Sequence, residues 1–433
     1  MELLGSGRER AAGRGDRVPA EPRFVIIGAS LAGAKAAETL RGEGFGGAVV
    51  LIGAEQERPY ERPPLSKGLL LGKDDKGTIY VHEESWYDQH DVDLRRGVAA
   101  VAVDRGAHQI SLADGEVIGY DKLLITTGAA PRRLNVPGGD LDGVLYLRSV
   151  SDSERLADAF RSTGQAGGRV VIAGGGWIGL ETAAAARSYG CEVTVVEPEP
   201  TPLNRVLGTE LGEVFASLHR RHGVEFMLRT GVAEFRGGAD AGRVRTVVTT
   251  DGAELAADVV VVGIGAVPNV SLAEAAGLDV GNGIVTDAGL RSSDPDIYAA
   301  GDVANSWHPL LDRRVRVEHW ANALHGGPAA ARSMLGQDVS YDRVPYFYSD
   351  QYELSMETSG LPEDYDAVVY RGEPESGEFI AFWLAAGRVL AGMNVNVWDV
   401  TGEIQALVRS GTRVDPVRLA DPGVPLSALA MPA

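Results

Sequence analysis

Short apolar runs recur along the chain, each closed by glycine and followed by a segment with helical spacing. Arg23-Phe-Val-Ile-Ile-Gly28 is a β-rich run ending in glycine. Residues 31–42 (LAGAKAAETLRG) predict a helix ended by Gly42, and 47–52 (GAVVLI) a second strand. Strand, glycine turn, helix, strand is the opening half of a nucleotide-binding unit. The pattern returns with a strand at Arg169-Val-Val-Ile-Ala-Gly174, a helix over 177–189 (WIGLETAAAARSY) and a strand over 192–196 (EVTVV). Gly28 and Gly174 lie 146 residues apart, too long a period for a solenoid. The pattern predicts two similar nucleotide domains in one chain.

After residue 335 the pattern changes. Residues 344–359 (VPYFYSDQYELSMETS) and 377–400 (GEFIAFWLAAGRVLAGMNVNVWDV) are rich in aromatic and β-branched residues punctuated by glycine. They predict an antiparallel sheet, closed by a helix at 400–409. The final stretch, VDPVRLADPGVPLSALAMPA, is broken by proline and reads as irregular.

Composition narrows the picture. A chain of 433 residues is long enough for two to four domains at ~100–200 residues each. With 44% hydrophobic and 23% charged residues it is too apolar for a disordered chain. The single cysteine, Cys191, excludes an internal disulfide, a CxxC redox centre, a cysteine zinc site and an iron–sulfur cluster. It lies beside the strand 192–196 and reads as a small buried hydrophobe. A net charge of −19 argues against nucleic acid as a general partner. Apolar runs such as Asp258-Val-Val-Val-Val-Gly-Ile-Gly265 have strand length, short of the ~18 residues of a membrane span, so no membrane contact is expected. Residues 1–22 (MELLGSGRERAAGRGDRVPAEP) lack the apolar core of a secretory signal and carry Glu2, Glu9, Asp16 and Glu21. They read as a disordered tail on a cytoplasmic protein. The histidines form no ligand-spaced cluster. His219 and His222, three apart on a predicted helix, read as an exposed face, so no metal site is expected.

Two glycine fingerprints carry the chemistry. Gly28-Ala-Ser30-Leu-Ala32-Gly33 is G-x-S-x-x-G, with serine at the middle position; Gly174-Gly-Gly176-Trp-Ile-Gly179 is a full G-x-G-x-x-G. Each follows an apolar strand and opens a helix, the context the fingerprint requires, so a pyrophosphate would rest on helix N-terminal amides. The extra residue before Gly33 excludes a hydrolase nucleophile elbow. A ribose-binding acid should follow about 20 residues on. Glu55 and Glu197 do so, although Glu57 is an equal candidate to Glu55 on composition. A carboxylate at Glu197 favours NAD over NADP; the competing reading is a solvated strand-end charge. Two dinucleotides in one chain suggest a flavin and a nicotinamide, because one passes hydride to the other.

Five motifs make the pattern specific: Glu61-Arg-Pro-Pro-Leu-Ser-Lys67, Gly175-Gly-Trp-Ile-Gly-Leu-Glu181, Tyr298-Ala-Ala-Gly-Asp302, Glu318-His-Trp-Ala-Asn322 and Val344-Pro-Tyr-Phe-Tyr-Ser-Asp-Gln-Tyr352. Through them the chain resembles the oxygenase-coupled, NADH-dependent ferredoxin and rubredoxin reductases, from about Arg23 to at least Asp415. The resemblance implies an α/β flavoprotein fold of glutathione-reductase type: an FAD domain over 23–130 and 263–335, an NAD domain over 131–262, and a C-terminal α+β domain over 336–433. It implies FAD pyrophosphate on Ser30, Ala32 and Gly33, Lys67 beside the isoalloxazine, and Ala100 meeting adenine through its backbone. It further implies Arg148 on the phosphate side, Asp302 at a ribityl or phosphate group, and Trp320 near the pyrimidine end, with Arg58 and Arg62 as further contacts. Some relatives carry the ribose-binding acid one position earlier, where this chain has Ala54, so Glu55 stands in with a longer reach.

Lys67 is one of five lysines against 36 arginines. By resemblance it pairs with Glu181 close to flavin and nicotinamide, where a fixed cation favours arriving electron density. Thiol-using relatives carry cysteines in the FAD domain that this chain lacks. The resemblance therefore implies an FAD-dependent NADH:ferredoxin reductase that passes electrons to a [2Fe–2S] ferredoxin or rubredoxin serving a cytochrome P450 or a ring-hydroxylating dioxygenase. Alternatives on the same scaffold are an NADH oxidase or small-molecule reductase, and a redox-sensing protein like apoptosis-inducing factor. Ferredoxins of this kind are acidic, as this chain is, so docking needs a local basic patch. Arg313, Arg314 and Arg316, between the Asp302 motif and Trp320, are expected to supply it.

Overall fold

The computed structural model describes residues 21–238 and 242–429, so the tail expected at 1–22 falls almost wholly outside the described residues. The strand Arg23–Ile27 is the centre of a five-stranded parallel sheet, with Ala48–Ile52 on one side (Val25 opposite Val50) and Lys122–Ile125 on the other; Val92–Arg95 and Ile297–Ala299 form its edges. Its near-continuous apolar run has a physical reason. A parallel strand buried on both faces has no solvent side to alternate toward, and Val25, Ile26 and Ile27 are 0–4% exposed. The helix Leu31–Gly42 covers one face, with Ala36, Ala37 and Leu40 packed on Ile26 and Leu51. Each fully buried leucine or isoleucine there contributes ~1.5–3 kcal/mol. Strands Ala100–Asp104, Gln109–Leu112 and Val117–Gly119 form a small antiparallel sheet against the other face.

A second unit repeats this plan. Its parallel sheet runs in the order Val224–Leu228, Glu192–Glu197, Arg169–Ala173, Val259–Val262, Val144–Leu145. The helix predicted at 177–189 spans Trp177–Ser188. The helix Val150–Gln165, which the apolar pattern did not single out, starts at a capping box: Ser149 Oγ accepts from the Asp152 amide at 3.2 Å, and Asp152 accepts from the Ser149 amide at 2.9 Å. The chain enters and leaves this unit through two short antiparallel strands, Ala129–Pro131 and Ala266–Pro268. Cys191 is fully buried, its Sγ 3.3 Å from the Phe160 carbonyl, and burial pushes the thiol up to about 11.

The third unit is a five-stranded antiparallel sheet, with the helix Thr401–Ser410 against one face. Its strands Tyr346–Gln351, Leu354–Gly360, Glu378–Ala385 and Arg388–Val395 lie in the expected ranges. The edge strand Ala367–Glu373 does not; it is half-exposed and lacks a clean alternation. The described part of the final stretch contains two ordered turns, the short helix Pro416–Ala420, started by Pro416 behind the capping Asp415, and the 3₁₀ turn Leu426–Ala428. The other face of the sheet packs on the second unit, where Trp383, Met356 and Phe379 meet Phe215 and Leu180.

That contact corrects the reading of His219 as exposed. The helix Thr209–Arg221 turns His219 inward, 0% exposed, with Nε2 2.8 Å from Gln351 Oε1. His222 lies flat on Tyr352, ring centroids 3.7 Å apart, and reaches Glu353 at 2.7 Å. The helix has a partner on this side, which the polarity of histidine conceals.

Candidate functional site

A cavity of about 490 Å³ opens where the three units meet. That volume lies within the range of small-molecule sites. Part of each glycine fingerprint lines it, Ser30 to Ala32 of the first and Gly176 to Ile178 of the second, while Gly28, Gly33, Gly174 and Gly179 lie behind the wall.

On the first unit's side, Ser30 caps the helix Leu31–Gly42 with extended backbone, and its hydroxyl makes no capping bond. The amides of the first turn have no intrahelical acceptor, so they and the hydroxyl form an anion cradle. Gly28 and Gly33 are required by the fold itself. Gly28 has φ +122°, and a Cβ on Gly33 would lie 2.1 Å from the Gly28 carbonyl oxygen. The second fingerprint shows the same close approach, 2.0 Å from a Cβ on Gly179 to the Gly174 oxygen, with Gly174 at φ +105°. Gly176 differs. A Cβ there would meet nothing closer than the Gly263 oxygen at 3.9 Å, so the protein leaves its middle position open on the cavity. Open space at Gly176 and a free serine hydroxyl at Ser30 fit two pyrophosphate groups.

Across the cavity stands the helix Trp320–Met334. A Cβ on Gly327 would fall 2.1 Å from the Ala32 carbonyl, so this helix crosses Leu31–Gly42 backbone to backbone. The crossing brings Trp320 and Ala32 to the same wall. Among the described residues, His319 Nδ1 is buried without a hydrogen-bond partner and the Trp320 indole N–H, close to the Glu61 carboxyl, makes no bond of good geometry; both residues line the cavity. Two unmatched polar atoms at one wall fit a heterocyclic ligand with its own donors and acceptors. Burial pushes His319 down to about 4, so its ring is neutral.

Lys67 follows the 3₁₀ turn Pro63–Ser66, which two prolines stiffen. Its Nζ lies 2.7 Å from Glu181 Oε1, on the second unit's helix Trp177–Ser188. The Glu181 side chain is 2% exposed. A carboxylate that buried needs donors, and Ser66 and Ser349 also supply hydroxyls to it, Ser349 at 2.6 Å. The Lys67 ammonium also lies 5.3 Å from the Tyr348 ring centre.

Arg148 binds Asp302 at 3.0 Å, and its carbonyl accepts from Arg62. Arg62 reaches Glu55 at 3.0 Å, and Tyr60 donates to the same carboxylate at 2.5 Å. Burial, with Arg62 alongside, pulls the Arg148 guanidinium below its ordinary value. Arg62, Arg148 and Asp302 line the cavity; Glu55, Arg58 and Ala100 do not. Ala100 begins its strand beside the Glu55 loop, where the Gly97 amide donates to the Glu55 carbonyl at 2.9 Å. Arg58 lies over the Tyr80 ring at 3.8 Å, near Glu83 and Glu84. Glu57, the competing acid, is taken by Lys76 at 2.9 Å and Tyr80 at 2.6 Å.

Glu197 is not a solvated strand-end charge. It is 9% exposed, and its oxygens accept from the Gly175 amide at 2.6 Å and the Glu199 amide at 2.9 Å. The arginine run also differs from a continuous basic patch. Arg313 and Arg314 are exposed, Arg313 reaching Glu363 at 2.6 Å, whereas the Arg316 side chain is 11% exposed and turns inward to Glu318, Asn282 and the Asp302 carbonyl. The split follows the partners: Arg313 and Arg314 lie on the edge strand Arg313–Val315, whereas Arg316, just past its end, is drawn in by Asn282 and Glu318. Thr126, Ser66, His319 and Tyr348 line the cavity without having been singled out. The last three sit inside the quoted motifs, which were the available signal. Thr126 had none.

Comparison with known proteins agrees with this geometry. The family described as pyridine nucleotide-disulphide oxidoreductase matches residues 22–327, and that described as reductase C-terminal matches residues 346–430. The chain is 43% identical to the anthranilate 1,2-dioxygenase system ferredoxin–NAD(+) reductase component of Burkholderia cepacia, over 93% of this chain and 98% of the relative. It is 36% identical to the putidaredoxin reductase of Pseudomonas putida, over 95% and 97%. Among solved structures, the reductase in the covalent putidaredoxin reductase–putidaredoxin complex superposes with a TM-score of 0.91 at 36% identity, covering 95% of this chain and 98% of that one. The chain therefore belongs to the pyridine nucleotide-disulphide oxidoreductase family, in the branch of the ferredoxin and putidaredoxin reductases.

Proposed function

We propose that the protein is an FAD-dependent NADH:ferredoxin reductase, passing electrons to a [2Fe–2S] ferredoxin or rubredoxin that serves a cytochrome P450 or a ring-hydroxylating dioxygenase. The observation that carries this reading is the Lys67–Glu181 pair, held at 2.7 Å in a cavity walled in part by two dinucleotide fingerprints. Family membership implies FAD and NAD(H) binding. When bound, FAD supplies the redox chemistry, taking two electrons as hydride and releasing them singly.

The chain's own residues hold and orient. Ser30, Ala32 and Gly33 offer amides and a hydroxyl to the FAD pyrophosphate, and Gly174, Gly176 and Gly179 form the corresponding turn for NADH. Asp302, Arg148 and Trp320 stand along the FAD wall, with Glu55, Arg58, Arg62 and Ala100 toward the adenosine end. Lys67 presents a fixed cation where negative charge gathers, and Glu181 keeps that cation in place. Glu197 sets the preference for NADH, because a buried carboxylate at the glycine loop repels a 2′-phosphate. The buried Cys191 thiol lies outside the cavity lining, so electrons leave without a thiol relay. The same reading places the enzyme in the cytoplasm with its nicotinamide substrate, and docks the carrier near the exposed Arg313 and Arg314.

A visible spectrum followed by anaerobic titration tests the reading. The expected result is a flavin spectrum bleached by NADH at far lower concentration than by NADPH, then reoxidised rapidly by ferredoxin. Absence of flavin overturns it. Stoichiometric turnover with oxygen alone points to the oxidase instead. Slow reoxidation by every carrier, with a change of oligomer on NADH addition, points to a sensor.

A further inference from the structure

A line of buried hydrogen bonds leaves Glu181 and runs through the third unit. Ser349 Oγ donates to Glu181 Oε1 at 2.6 Å, Gln351 Nε2 donates to Ser349 Oγ at 3.0 Å, and Gln351 Oε1 lies 2.8 Å from His219 Nε2. Ser349, Gln351 and His219 are 0%, 1% and 0% exposed. The carboxylate fixes the polarity of each link. Ser349 has one proton and spends it on Glu181, so it must accept from the Gln351 amide nitrogen. The Gln351 oxygen then faces His219, which must carry its proton on Nε2. This leaves His219 Nδ1 bare, and that atom is buried with no partner among the described residues.

The arrangement follows from strand geometry. Ser349 and Gln351 are two apart on the strand Tyr346–Gln351, so both face the second unit. One meets the helix carrying Glu181 and the other the helix carrying His219. The strand is thereby fixed to the second unit at two points, and Glu181 Oε1 has donors from two other units, Lys67 from the first and Ser349 from the third.

We propose that Ser349 is a positioning residue for the Lys67–Glu181 pair, supported from behind by Gln351 and His219, so that the C-terminal sheet sets the geometry of the cation at the redox site. This rests on the reductase reading above. Without Ser349 the carboxylate keeps its charge but loses the donor that sets its rotation, and Lys67 moves with it.

The test is a cycle of four flavin-loaded proteins: wild type, Ser349→Ala, Glu181→Gln and the double variant. In wild type, Ser349→Ala should slow flavin reduction at saturating NADH roughly tenfold, the scale of one hydrogen bond to a charged group, with the NADH dissociation constant within about twofold. The flavin midpoint potential should move to a more negative value. In the Glu181→Gln background, where Ser349 meets a neutral acceptor and no ion pair is left to position, the same substitution should change both quantities much less. Ser349→Cys, a slightly larger side chain with a weaker donor, should fall between serine and alanine and serves if alanine is not tolerated. Unchanged rate and potential overturn the proposal, as does an equal loss in both backgrounds. Thermal unfolding of the same four proteins measures the coupling of positions 349 and 181 without nicotinamide. If NADH fails to reduce even the wild type, the reductase reading has failed, and the unfolding cycle still decides the pairing.

Discussion

Lys67 reaches Glu181 across the boundary between the first two units, Nζ to Oε1 at 2.7 Å, and the carboxylate it meets is 2% exposed. A charge that is both buried and paired is costly to orphan. Lys67→Met leaves Glu181 with two hydroxyl donors and no cation, and should lower unfolding stability by on the order of 3 kcal/mol. Glu181→Gln removes the buried charge while keeping acceptor and volume, and should destabilise less. Both should slow flavin reduction by NADH, Lys67→Met by about 10²-fold, the scale seen when one preorganised electrostatic contact is lost. Stopped-flow reduction and thermal unfolding of the two variants give both orderings.

Nicotinamide preference should follow Glu197. Its carboxylate already holds the Gly175 amide at 2.6 Å, so it is fixed beside the fingerprint loop rather than mobile in solvent. Glu197→Gln retains an acceptor for one backbone amide and removes the charge. The ratio of kcat/KM for NADPH over NADH should rise roughly tenfold, and part of the change will be a weaker NADH site because one amide loses its partner. Steady-state kinetics with both nucleotides check it. An unchanged ratio would assign Glu197 to loop support alone.

The pH dependence of stability should carry a signature of His219. Burial pushes this ring down to about 4 from an ordinary value of 6.5, so the folded protein keeps it neutral where the unfolded chain protonates it. Between those two values the unfolded state binds more protons, and stability therefore rises with pH. The contribution is complete above about pH 6.5 and is lost as pH falls toward 4. His219→Gln should flatten the fall of Tm across that window and change little above it. His319, pushed to a similar value at the cavity wall, titrates in the same window, so the slope should be reduced rather than abolished.

The two parallel units were legible because both fingerprints impose themselves on the sequence: a strand buried on both faces must be continuously apolar, and a tight turn needs glycine at positive φ. The helix read at 31–42 is Leu31–Gly42 for that reason. What stayed hidden depends on contacts between units. His219 reads as polar surface until Gln351 faces it, and Arg313, Arg314 and Arg316 read as one patch until Asn282 and Glu318 draw Arg316 inward. Glu55 stands at the expected strand end, yet its carboxylate meets Tyr60 and Arg62, which spacing alone cannot show. Ser349 lay inside a quoted motif, but only the packed sheet reveals that its hydroxyl serves Glu181.

Carrier docking should separate the three arginines. The chain's −19 charge repels an acidic partner at long range, but salt screens that repulsion beyond ~8 Å, and a few exposed cations near the site can dominate at contact. Arg313 and Arg314 are exposed and beyond the cavity lining. Arg313→Glu with Arg314→Glu should raise the KM for ferredoxin by roughly tenfold and flatten its salt dependence, while NADH–ferricyanide turnover holds, because a small inorganic acceptor needs no docking face. Arg316→Ala should behave differently. Its side chain lies against Glu318 and the Asp302 carbonyl, so its loss should lower Tm and disturb both activities together. If the paired reversal lowers ferricyanide turnover as much as ferredoxin turnover, the arginines support the site rather than the partner; if it changes neither, the carrier docks elsewhere.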